Sequence, residues 1–243
     1  MPYFFESTET VPPGVGFNMY DACHLSWLLA FILFTVFVSL TYKKATAEKR
    51  KKIRILFVVL LLLDELIKTA GLLAIDAYLP KYLPFQLCSI NIFIITYHAF
   101  KMNKTCGIYL YTVCIPAAIA ALLFPIWTSL PLANYMHLHS FTVHILLAAY
   151  PIMLTYAGDI KPEIKAIPHC LALLAALAAV AYVFNLLLDT NFMFLMHPDV
   201  DNPLSWFETN WGNHRYGFPV MISGILLVMY LPVYILEKRR NKI

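Results

Sequence analysis

Charge is scarce in this sequence. Only 13% of its 243 residues are Asp, Glu, Lys or Arg, whereas 60% are hydrophobic. Soluble domains carry about 25% charged residues, so a water-exposed globule is excluded as the main architecture. Cysteine is sparse too. The five cysteines, at 23, 88, 106, 114 and 170, form neither a CxxC pair nor a secreted disulfide pattern. The first 20 residues contain no Lys or Arg, so the basic start of a cleavable signal is missing. No internal repeat of about 20–50 residues and no low-complexity segment occurs.

What the sequence does have is long apolar runs, and the expected fold is one all-α, multi-pass membrane domain over 1–243. Seven candidate spans fall at 22–42, 53–75, 83–100, 106–127, 138–157, 168–190 and 217–236, each near the ~20 residues a helix needs to cross a bilayer. The connections alternate in charge. The loop 43–54, the pair Lys101 and Lys104, the pair Lys161 and Lys165, and the tail with Lys238, Arg239, Arg240 and Lys242 hold 15 of the 18 basic residues. The opposite connections hold only Lys81 and Arg215, and Lys68 lies within a span. The positive-inside rule then predicts an external N-terminus, with 1–20 an external lead-in, and a basic cytoplasmic tail at 237–243. An odd number of spans agrees with that. The basic loop is read as a topology determinant rather than a nucleic-acid site. Trp206 and Trp211, in the external connection 191–216, suit an interfacial aromatic belt.

Ionisable groups inside a span cost roughly 2.5–3.5 kcal/mol each on insertion scales, so each needs a reason. Span two contains Asp64, Glu65 and Lys68, and one Lys can neutralise only one of two carboxylates at these spacings. A structural ion pair between helices and a carboxylate left free to orient a His are both open. Span five carries His144 about two turns deep, while His137 and His139 nearer its end are expected to be solvated. Pro84 suits a first helical turn, which would put Cys88 one turn inside span three with Asn91 at i+3 on the same face. His24, Asn185 and Asp189 add polar groups at the same external half. A buried free Cys is commonly a small core residue. Beside a His it can also be a nucleophile, because the imidazole takes the thiol proton. A carboxylate from Asp64, Glu65 or Asp189 would then fix the imidazole, and Gln86 or Asn91 would donate to an oxyanion. A thiolate facing lipid meets ester carbonyls, so acyl transfer is the natural reaction.

Three stretches carry a resemblance. Leu-Pro-Phe-Gln-Leu-Cys-Ser-Ile at 83–90, Phe-Thr-Val-His at 141–144, and Asn191 to Leu195 followed by Pro198 resemble the YwaF-like bacterial integral membrane family. That family is similar to the transmembrane protein 164 family of multi-pass phospholipid acyltransferases. It is more distantly similar to the androgen-induced multi-pass hydrolases, which use a Thr nucleophile with a His. The resemblance implies Cys88 as nucleophile and His144 as base. Gln86 stands where many relatives have a second His, and Phe192 where Tyr is common.

The expected function is a membrane-embedded lipid acyltransferase or lipase working through a thioester, with no metal or cofactor. Its expected partners are phospholipids, lysophospholipids and the bilayer of the cell membrane. Two alternatives stand beside it. One is a non-catalytic transporter or lipid-binding protein using the Asp64/Glu65/Lys68 cluster, which lacks the half-length repeat common in transporters. The other is a zinc-dependent seven-span hydrolase, for which span seven contributes no ligand and no HxxxH pair occurs.

Overall fold

The computed structural model describes residues 3–199 and 202–240, and among them every regular element is helical. Pro2 of the lead-in and Lys242 of the tail lie outside the described residues, as do the side chains of Arg239 and Arg240.

Side-chain caps start most of the helices, each satisfying backbone N–H groups that have no intrahelical partner. Asp21 accepts from the His24 N–H to open α1 (Ala22–Lys44). Thr46 does the same for Lys49 at α2 (Ala47–Ala74). Asn134 caps α6 (Tyr135–Ala157), and Asn202 caps α8 (Pro203–Trp211). The other helices are α3 (Leu87–Lys101), α4 (Lys104–Tyr109), α5 (Ile115–Leu123), α7 (Ile167–Leu188) and α9 (Gly217–Arg240). Between α4 and α5 the chain passes through a π-helical turn, Leu110–Cys114, so the predicted span 106–127 is one interrupted rod ending at Leu123.

Six stretches are long and apolar enough to cross a membrane: Ala22–Lys44, Pro80–Lys101, Lys104–Leu123, Tyr135–Ala157, Ile164–Leu188 and His214–Ile235. The seven expected spans thus meet six such helices. The remaining one, 53–75, covers the later part of α2, which ends at Ala74 and whose 28 residues include a basic first half together with Asp64, Glu65 and Lys68.

The axis of the bundle is α6, packed by α1, α2, α3 and α5. Of its most apolar 18-residue window 67% is buried, against 11% in α7 and 6% in α9, so those two are peripheral. The alternation of charge along the chain becomes a spatial segregation. Arg50 pairs with Asp159 at 2.8 Å, Lys104 pairs with Glu163 at 2.7 Å, and Arg54 reaches the Ala99 carbonyl. The 43–54 stretch, expected as a loop but helical on both sides of Ala45 and Thr46, the end of α3 and the 158–165 segment therefore share one end of the bundle.

At the opposite end the N-terminal segment packs as a cap. The Asn134 amide donates to the Tyr3 and Glu6 carbonyls, and Lys81 pairs with Glu9. Gly16 is needed there, because a Cβ would lie 2.0 Å from the Thr128 carbonyl oxygen. His137, packed against Phe17 of this cap and Leu130, and His139, beside Asp64 of α2, are both buried, which corrects the expectation that both are solvated. His137 donates from Nδ1 to the Leu130 carbonyl and accepts from Trp27 Nε1 at 3.0 Å, as a neutral packing imidazole does.

Candidate functional site

The segment before α3 starts later than the sequence predicts. Pro80 opens a separate 3₁₀ turn, Pro80–Tyr82. Leu83 precedes Pro84 and is held extended at ψ 150, since a proline disfavours helical geometry in the residue before it. Gln86 is the N-cap, also extended, and α3 begins at Leu87. Cys88 is therefore the second helical residue rather than one turn inside. The first intrahelical bond runs from the Ile90 N–H to the Gln86 carbonyl at 3.0 Å. The N–H groups of Leu87, Cys88 and Ser89 precede it, at the positive end of the helix dipole.

Cys88 is half-buried. It packs against the core cluster that includes Cys114, Val143 and Leu147, the last two being close neighbours of His144 along α6. It lies within electrostatic reach of Lys68 and Glu65. Those two pair with each other across one turn of α2, and Lys68 is only 6% exposed.

His144 is buried and fixed in a single orientation. Its Nδ1 lies 2.5 Å from the Ser140 carbonyl of the preceding turn, and its ring stacks on Trp127 at 5.5 Å with an interplanar angle of 6°. A carbonyl only accepts, so Nδ1 carries the hydrogen and Nε2 of the neutral ring keeps its lone pair. No hydrogen bond joins Cys88 and His144 among the described residues.

Asp64 meets other groups on α6. Its Oδ2 accepts from the Thr142 hydroxyl at 3.0 Å, and its Oδ1 is 3.3 Å from His139 Nδ1. The carboxylate thus sits beside His139, whose Nδ1 forms no hydrogen bond among the described residues, while the backbone orients His144. Asn91 is 1% exposed, and its Oδ1 has no hydrogen-bond partner among the described residues. Gln86 accepts the Met193 N–H on Oε1 at 2.9 Å. Asp189 is exposed at the end of α7, and Asn185 is the organising group there. Asn185 donates to the Phe192 carbonyl and accepts from the Phe192 N–H and the Thr190 hydroxyl.

These contacts bring the motifs at 83–90 and 191–195 together. Phe85 stacks on Phe184 at 4.0 Å and tilts against Phe192 at 5.4 Å. Met193 and Phe194 both have positive φ, 57° and 56°, a region that costs non-glycine residues of order 1–3 kcal/mol. Their anchors are Gln86, Asn185 and His214. His214 Nε2 lies 3.1 Å from the Phe194 carbonyl, and Glu208 accepts from the His214 N–H. The His214–Phe194 contact, across 20 positions, has no local signature, and the carboxylate free to orient a His turns out to lie beside His139, 75 positions away, and not beside His144.

An all-helical bundle with six apolar rods and polar groups held among them defines a multi-pass α-helical membrane protein. The chain belongs to the TMEM164 family, whose model matches residues 19–234. No curated protein and no solved structure matches it.

Proposed function

We propose that this chain is a membrane-embedded acyltransferase or hydrolase of lipid esters, with Cys88 as nucleophile and His144 as general base. The observation that supports it most is the fixed tautomer of His144, whose only lone-pair nitrogen is Nε2, on the axial helix against which α3, the helix of Cys88, packs. A base must first be geometrically available, and hydrogen bonds of this kind commonly tighten only when substrate binds.

The step balances without a co-reactant. His144 Nε2 takes the Cys88 thiol proton, and the sulfur attacks the ester carbonyl carbon. The resulting oxyanion is met by N–H groups at the start of α3, with the Asn91 and Gln86 side chains nearby on the same segment. Collapse breaks the carbon–oxygen ester bond. The imidazolium returns its proton to the leaving alkoxide, and a lysolipid is released. A lysolipid hydroxyl or water then attacks the thioester with His144 again as base, which regenerates the thiol.

On this reading α2 is a seventh span, long enough at about 1.5 Å per residue, with its charges paired inside the bundle. The N-terminus then faces out, the basic end faces the cytoplasm, and the membrane is the cell membrane. Transport through the Asp64/Glu65/Lys68 cluster has less support, since both carboxylates already have partners.

The test is mass spectrometry of purified protein incubated with phospholipid. A hydroxylamine-sensitive acyl group on Cys88, absent in Cys88→Ala along with turnover, is the expected result. An adduct confined to Cys23, or turnover that persists in Cys88→Ala, overturns the reading.

A further inference from the structure

At the basic end of the bundle, remote from Cys88 along α3, a cavity of about 290 Å³ opens between the end of α3, the start of α4 and the 158–163 segment. Its wall includes His98, Lys104, Gly107, Asp159, Lys161 and Glu163. His98 is 2% exposed, and its Nδ1 lies 3.0 Å from the Tyr150 hydroxyl.

That contact decides the tautomer. Tyr150 is fully buried, and its hydroxyl has no other partner among the described residues. If Nδ1 carried the hydrogen, the Tyr150 O–H would be a buried donor without an acceptor, which proteins avoid. The Tyr150 hydroxyl therefore donates to Nδ1, and the hydrogen of the neutral ring sits on Nε2. No described residue accepts it. Nε2 faces Gly107, where a Cβ would come within 3.1 Å of it, so the missing side chain keeps the space before this N–H open.

The charges around the cavity leave a surplus of one sign. Asp159 is taken by Arg50 and by the Tyr42 hydroxyl, and Glu163 is taken by Lys104. Lys161 has no ion-pair partner among the described residues and is exposed at the rim. An N–H donor that opens onto the cavity, with an uncommitted ammonium on the same wall, suits an anion with several acceptor oxygens.

We propose that this cavity binds a phosphate group, with His98 Nε2–H and Lys161 as its donors. The volume is at the lower limit of small-molecule sites, about 300–1,000 Å³, so the ligand is a small phosphate or a lipid headgroup and not an acyl chain. The site is independent of the chemistry proposed at Cys88 and does not require that reading.

The experiment uses the full chain. In detergent, thermal unfolding is followed with inorganic phosphate against chloride of matched ionic strength. In parallel, nanodiscs of phosphatidylcholine are compared with and without phosphatidic acid. A rise in unfolding temperature with either probe is expected. A response to inorganic phosphate assigns the site to a free phosphate, and a response to phosphatidic acid alone assigns it to a headgroup. Lys161→Gln weakens the response about tenfold, the loss expected for one charge-assisted hydrogen bond. Gly107→Ala obstructs His98 Nε2 and abolishes the response; if that variant is itself unstable, the exposed Lys161→Gln carries the result. Lys52→Gln, which removes an exposed basic residue paired with Glu48, leaves it unchanged. The proposal is overturned if neither probe exceeds chloride, or if Lys161→Gln responds as the wild type does.

Discussion

The Thr142 hydroxyl on α6 donates to the Asp64 carboxylate on α2 at 3.0 Å, and the same carboxylate lies 3.3 Å from His139. One acidic group, costly in an apolar bundle, thus becomes the polar tie between the axial helix and a neighbour. A double-mutant cycle of Asp64→Ala with Thr142→Val should give a coupling of about 0.5–3 kcal/mol, the range for residues in contact. Thermal unfolding of the four proteins in one detergent measures it, and strict additivity would show that the tie is energetically idle.

The pair Lys68–Glu65 should behave as a buried ion pair. Removing one partner leaves an uncompensated charge, so Glu65→Met is expected to destabilise by roughly 3–5 kcal/mol. The double change Glu65→Met with Lys68→Met should restore most of that loss. Unfolding temperatures compared in the same micelle decide it.

If Cys88 and His144 act as a unit, their losses will not add. His144→Ala should slow thioester formation by ~10²–10⁴-fold, the usual contribution of general-base help. The double variant with Cys88→Ala should be little slower than Cys88→Ala alone. Single-turnover acylation with labelled phospholipid supplies the rates. A wild-type rate in His144→Ala would remove the imidazole from the mechanism.

Glu208 gives a pH prediction outside the apolar rods. The His214 backbone N–H donates to its carboxylate and holds it below the usual carboxylate range, with slight burial opposing and the His214 ring assisting. A depressed native value means the stabilisation is present above the unfolded value, near 4.5, and is lost as pH falls through the native one. Acidification through that window should loosen the α8 segment. Fluorescence of Trp206 and Trp211 should report it, and Glu208→Gln should be loose already at neutral pH with a flat profile.

Sidedness can be read directly. Single cysteines at 45, 46 and 47, in a background lacking Cys23, should resist an impermeant thiol reagent in intact cells and react after permeabilisation. Ready labelling from outside would reverse the assigned orientation.

The sequence made the bundle legible because its signals are local. Apolar runs and alternating basic clusters both act within a few positions. The gathering of Arg50, Lys104 and Lys161 at one end follows from that alternation alone. The misreadings came from long-range packing and from one proline. Pro84 reads equally well as a helix start and as a turn, and Leu83 resolved it toward the turn. His139 looked solvated because nothing nearby predicts that its face of α6 will pack against Asp64 of α2. Asp64 was identified as a carboxylate needing a partner, but which His it meets depends on helix packing across 75 positions. The π-helical turn at Leu110–Cys114 has no sequence signature here.

The shallow burial of α7 and α9 bears on how the protein opens. Hydrogen exchange should form a hierarchy, with α6 amides exchanging last and those of α9 among the first, because local opening energies follow contact density. Bonds from Tyr111 and Thr112 to Met229 and Tyr230 give α9 a pivot near its middle. The outer helices can then swing as a sideways seam while α1, α2, α3, α5 and α6 stay closed, so the bundle opens toward the leaflet and not toward water.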